Sequence, residues 1–135
     1  MVSDKVASAI LAMVVASLLP WAVSIIAKVS GGFRVINNAH PRDFFQHTTG
    51  MAARANAAQQ NSYETLPVFL AAVLVAMLFF VPQSIINVLA WLYVIIRIGY
   101  CTAYITNLST FRSILWVLSM ACYLMLFYLA IRVSV

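Results

Sequence analysis

The stretch Ser84-Ile-Ile-Asn-Val-Leu-Ala-Trp-Leu-Tyr-Val-Ile-Ile-Arg97-Ile-Gly-Tyr-Cys-Thr-Ala-Tyr-Ile-Thr106 decides how this chain folds. Arg97 is its single charged residue, and it contains no proline. A helix needs about 20 mostly apolar residues to cross a bilayer core about 30 Å thick. This segment is long and apolar enough to be such a helix. Read outward from it, the chain offers three more spans, near residues 6–27, 51–81 and 113–133, beside this one at 84–106. Pro20 inside the first marks a kink that neighbouring helices tolerate in lipid.

The composition agrees. Of 135 residues, 64% are hydrophobic and 8% charged, against about 25% charged in an ordinary soluble domain. Too little polar surface exists to cover a water-soluble fold. The predicted fold class is therefore all-α: an integral membrane four-helix bundle, one domain over residues 1–135. Short links between the second, third and fourth spans make those helices antiparallel neighbours. The one polar stretch, Lys28 to about Asn61, opens with turn residues that read as a loop as far as Gly50. The first apolar run is longer than a signal-peptide core, so no cleavable signal is expected. Cys101 and Cys122 lie inside apolar runs and read as packing residues.

The net charge of +5 is scattered between apolar runs, a topology signal and not a nucleic-acid footprint. Lys28, Arg34, Arg42 and Arg54 flank the first loop and Arg112 the third; Lys5 and Arg132 stand alone at the other end. Positive-inside bias puts loops one and three in the cytoplasm and both termini outside.

The polar residues in or beside lipid need a reason. A charge within a span costs at least a few kcal/mol, so Arg97 is a candidate functional residue. Tyr100 and Tyr104 follow it on one helical face, three and seven residues on. Arg54, Asn61 and Glu64 form a second stripe, and Arg112 with Ser113 opens the fourth span with residue types suited to an anion. Each has a plainer reading. The tyrosines fit an interfacial belt, Arg97 could snorkel to headgroups, Glu64 could be a wet interfacial carboxylate, and Arg112 fits a positive-inside anchor. Asn61 beside Glu64 carries no topological signal and resists such a reading.

The segment Arg54-Ala-Asn-Ala-Ala-Gln-Gln-Asn61-Ser-Tyr-Glu64-Thr-Leu-Pro-Val-Phe69 resembles the second-helix motif of the MAPEG family, the membrane-associated proteins of eicosanoid and glutathione metabolism. Arg97-x-x-Tyr100-x-x-x-Tyr104, then Phe111-Arg112-Ser113 and Trp116, resemble its third- and fourth-helix motifs. His40-Pro41-Arg42-Asp43 resembles the first loop of its bacterial members. Two positions depart: the family's motif Arg aligns with Ala57 and its His with Gln59, while Arg54 stands one turn earlier. Tyr100 occupies a position that is His in some members.

The resemblance implies a homotrimer in a bacterial inner membrane, with glutathione as thiol substrate between subunits and no metal. Arg54, Asn61 and Glu64 of one subunit, with Arg97, Tyr100 and Tyr104 of the next, would bind glutathione. Arg112 and Ser113 would hold the thiolate for attack on a lipophilic small molecule drawn from the bilayer. The second helix would face the trimer axis, where Ala52, Ala53, Ala55, Ala57 and Ala58 allow close approach. Three functions stay open on the residues: a glutathione S-transferase or peroxidase, a non-catalytic lipid- or thiol-binding protein, and a small drug exporter. An exporter wants a deep carboxylate without Arg and Asn beside it, and Glu64 has both near it.

Overall fold

A computed structural model describes residues 2–135, with side chains from Lys5 onward. Four long helices run up and down: α1 (Val2–Ser30), α3 (Gly50–Leu78), α4 (Gln83–Ile105) and α5 (Ser109–Ser134). A 3-10 turn (Val35–Ala39) and a short helix α2 (Pro41–Gln46) fill the first loop. All four long helices are long and apolar enough to cross a membrane. The chain is thus a multi-pass membrane-spanning bundle.

Helix ends explain where the boundaries differ from those read in the sequence. All three inter-helix exits of the long helices close the same way, through a residue in left-handed backbone conformation. At the end of α1, Gly32 has φ 72°, the Phe33 N–H reaches the Lys28 carbonyl at 2.9 Å and the Gly32 N–H that of Val29. Phe80 (φ 58°) and Asn107 (φ 64°) do the same after α3 and α4. There the Val81 N–H meets the Ala76 carbonyl, and the Leu108 N–H that of Ala103. This double closure satisfies carbonyls that a helix end leaves without partners. The second span therefore stops at Leu78 rather than 81, because Phe80, which carries no turn signal, takes the left-handed position. The fourth begins at Ser109 rather than 113, because the Asn107 turn lets α5 start at once. The first loop also holds more structure than expected: Pro41 opens α2 and Asp43 lies in its first turn, both favoured there. Pro20, for its part, sits buried within an unbroken α1.

Helices α3 and α4 form the centre, each touching α1 and α5, while α1 and α5 have no contact among the described residues. The inward stripe of α3 runs Ala52, Ala55, Ala58, Ser62, Thr65, Phe69, Ala72, Val73, Ala76, and that of α1 includes Ala9, Ala12, Ala16, Val23 and Ala27. Small side chains at helical spacing bring backbones close, which is how helices associate where lipid removes the hydrophobic drive. This corrects the expectation for the alanine run. Ala52, Ala55 and Ala58 are buried inside the single chain, and only Ala53 and Ala57 are left half-buried. Outward faces carry Ile10, Leu18, Trp21, Val88, Ile95, Val117 and Leu124, all well exposed. Apolar flanks of that extent suit lipid or a partner, not water.

Gly31 marks the tightest approach. A Cβ there would lie 2.8 Å from Phe44 Cζ, 3.0 Å from the Ala27 carbonyl oxygen and 3.2 Å from Ala52 Cβ. Gly31→Ala should therefore push α2 off α1 and α3 and cost about 1–3 kcal/mol, the usual penalty of overpacking. Thermal unfolding of detergent-solubilised protein tests it; an unchanged midpoint would mean that the first loop packs only loosely.

Candidate functional site at the polar end of the bundle

Depth comes first. Glu64 lies 14 residues from the α3 end at Leu78, and Arg97 lies 14 from the α4 start at Gln83. At 1.5 Å per residue both stand about 21 Å from that end of the bundle, which places them level. Arg112 and Arg132 on α5 are 20 residues apart, or about 30 Å, one bilayer core. The Arg97 layer thus lies in the half of the bundle nearer the end that carries loops one and three.

Arg97 is 1% exposed, the largest fully buried side chain among the described residues. Its Nη2 donates to Asn61 Oδ1 at 3.1 Å and to Ser62 Oγ at 3.0 Å, while Nε and Nη1 have no partner. Asn61 passes the contact on: its Nδ2 donates to Glu64 Oε2 at 3.3 Å. Ser62 in turn donates to the Ala58 carbonyl at 2.8 Å, and Cys101 Sγ stands 3.5 Å from its oxygen. A guanidinium in a desolvated layer is costly unless its donors are met, so Asn61 and Ser62 hold it in place.

On its other side Arg97 meets a row of rings. Its Cζ lies 4.1 Å from the Tyr100 ring centroid, Tyr100 and Tyr104 are edge to face at 5.7 Å, and Arg112 Cζ lies 4.3 Å from the Tyr104 centroid. Cation, ring, ring, cation alternate along the α4 face. Ring faces attract cations and ring edges attract faces, so each member orients the next. Beside this ladder is a recess of about 270 Å³ lined by Asn61, Tyr100, Tyr104, Arg112, Ser113 and Trp116.

The structure therefore brings Asn61, Tyr100, Tyr104, Arg112 and Ser113 together within the single chain. Arg97 stands behind Tyr100, and Glu64 is exposed on the outer flank of α3, joined to the recess only through Asn61. Arg54 is elsewhere: its Nε donates to the Ile105 carbonyl at 2.9 Å. The Ser113 hydroxyl donates to the Ser109 carbonyl at 3.1 Å, so it must rotate to donate to a ligand. Ser62 was missed in the sequence. The signal was available, since it falls on the stripe of Ala55, Ala58 and Thr65, where a hydroxyl faces the bundle interior. A larger hollow of about 540 Å³ over the first loop is lined by His40, Asp43, Phe44 and His47 among others. None of its lining residues is buried, so it lacks the desolvated polar groups that make the smaller recess a site. Among the described residues no group of three His, Cys, Asp or Glu side chains could hold a metal.

The family model of the MAPEG family matches residues 6–132. The chain belongs to the MAPEG family. No curated protein matches it. The MAPEG family includes glutathione transferases and related proteins, and its members use glutathione. In this MAPEG chain motif positions on α3, α4 and α5, namely Asn61, Tyr100, Tyr104, Arg112 and Ser113, meet at one recess.

Proposed function

We propose that this MAPEG protein conjugates the thiolate of glutathione to lipophilic electrophiles. The carrying observation is Arg112, held over Tyr104 at the wall of a recess that also presents Ser113, Asn61 and Tyr100 at membrane depth. A thiol of pKa about 8.5 is mostly neutral at cell pH, and a guanidinium beside it favours the nucleophilic form. The sulfur then attacks an electrophilic carbon, a carbon–sulfur bond forms and the leaving group departs with its electron pair. The tyrosine hydroxyls and the Asn61 amide supply donors for the carboxylates of glutathione. A lipophilic co-substrate partitions into the bilayer and meets the recess beside Trp116. The same thiolate attacking a hydroperoxide oxygen would break the O–O bond and release the alcohol on protonation. A second glutathione would convert the sulfenic acid left behind to the disulfide and water, which is the peroxidase activity. The recess belongs on the cytoplasmic side, since loops one and three hold most of the basic residues.

The reading includes a homotrimer. Glu64 lies inside the core on an exposed flank of α3 with Gln60 and Tyr63. A carboxylate facing lipid is costly, and a second copy packed there would cover it and bring its Arg residues to the ligand. Glu64→Gln should weaken glutathione binding about 5- to 150-fold, the equivalent of about 1–3 kcal/mol for one polar partner in a desolvated site. Equilibrium dialysis of purified protein with labelled glutathione measures it. Equal affinity in parent and variant would take Glu64 out of the site, and no binding by the parent would end the glutathione reading.

A further inference from the structure

Arg54, one turn before the position of the family's motif Arg, is expected from the resemblance to contact the ligand, yet the fold turns it to the protein's own backbone. Its Nε donates to the carbonyl of Ile105, 51 residues on and the last residue of α4. That carbonyl is among the four a helix end leaves without an internal donor. A cation placed there also meets the negative end of the helix dipole. The bond ties the start of α3 to the α4–α5 turn. Beyond Ile105 the chain reverses within three residues, with Asn107 at φ 64° and the Leu108 N–H closing on the Ala103 carbonyl at 2.8 Å. The Arg112 N–H then binds the Leu108 carbonyl at 2.9 Å. Tyr104 precedes the clamped carbonyl and Arg112 follows the turn, and these two residues stack on each other at the recess. A purely topological anchor would point to headgroups. Arg54 is half-buried and bonded to the segment that carries Arg112.

We infer that Arg54 is a positioning residue: it clamps the α4–α5 turn and so sets Arg112 at the recess, without touching the thiol ligand. Its effect on chemistry rests on the glutathione-transferase reading; the clamp itself does not. The test uses full-length wild type, Arg54→Gln and Arg54→Lys in detergent, with three readouts. These are amide hydrogen exchange over residues 105–112, glutathione affinity by dialysis, and the pH–rate profile with a lipophilic aryl halide. In Arg54→Gln, exchange in the turn should quicken about fivefold, as the loss of one hydrogen bond implies. Glutathione affinity should stay within about twofold, because contacts in the recess remain. The rate rise should move to higher pH, toward the profile of Arg112→Ala. Arg54→Lys keeps a donor and a charge, and should restore most of the exchange protection and of the pH midpoint.

Unchanged exchange in Arg54→Gln would overturn the clamp. A tenfold loss of glutathione affinity with an unmoved pH midpoint would overturn the indirect role and make Arg54 a ligand contact. Where Arg54→Gln does not fold, the same measurements on Arg54→Lys decide, with effects of the same order in kind and smaller in size. A wild type that neither binds nor conjugates glutathione would end the functional reading, and exchange alone would then judge the clamp.

Discussion

Arg112→Ala is expected to lose about tenfold in turnover at pH 7 while its glutathione affinity stays within about threefold. The structure makes this variant clean. Arg112 is half-buried on the opening turn of α5, and its contact with the protein is the Tyr104 face at 4.3 Å. Losing that contact costs about 0.5–1 kcal/mol, too little to unfold the bundle. What disappears is the charge beside sulfur. A thiol of pKa 8.5 is about 3% ionised at pH 7, and one lowered by two units is mostly ionised. Part of that gain is returned, because a stabilised thiolate is a weaker nucleophile; the lost orientation of sulfur adds to the deficit. The sign follows directly. Raising pH toward 9 ionises the thiol without help, so the variant should recover ground on the wild type as pH rises. A pH–rate profile with a lipophilic aryl halide reads this. Overlaid profiles would make Arg112 an anchor only. If no electrophile is conjugated by the wild type, a binding protein on the same scaffold becomes the better account.

Much of the architecture could be read from the sequence, because the bilayer imposes it. Runs such as 84–106 and 113–133 have one structural solution in lipid, and their short links leave one relative direction. What resisted reading was local backbone geometry. Phe80 in the left-handed region ends α3 three residues early, and no residue type announces it. The alanines of α3 show a different failure. Small residues mark close helix contact without naming the partner: Ala55 and Ala58 turned out to pack with α1 and α4 of their own chain, and Ala52 lies against Gly31 just past α1.

The site was legible residue by residue but not as a set. Arg97, Tyr100 and Tyr104 share a helix face by spacing alone, and the cation–ring ladder follows from it. Arg54 shares a stripe with Asn61 and Glu64 equally well. It lies seven residues before Asn61, about 10 Å higher along the helix, level with the α4 terminus rather than with Arg97. Periodicity gives the face, and only packing gives the height of a partner. Ser62 escaped for a related reason: its role arises from Arg97, 35 residues away.

That dependence gives the largest expected effect on stability, at Asn61. Asn61→Leu should destabilise the protomer by about 2–4 kcal/mol, more than an ordinary lost hydrogen bond, because the group left short of acceptors is a charge. Arg97 already has two nitrogens without partners, and the change removes one of the two acceptors of Nη2, leaving Ser62 alone. Leucine has the same number of side-chain heavy atoms and the same branch point as asparagine and is the larger of the two, so no cavity opens. Adding Arg97→Met should then restore much of the lost stability. Apolar replacement of a buried ionic network is often neutral or stabilising, and methionine can fill the space over Tyr100. The double variant should unfold near the wild-type temperature and bind no glutathione, separating the cost of the charge from its use. Thermal unfolding in detergent and dialysis supply the two readings. If Asn61→Leu melts with the wild type, Arg97 is hydrated in the membrane and its network is not what holds α3 to α4. If the double variant melts no higher than Asn61→Leu, the loss lies in packing around Asn61 and not in a stranded cation.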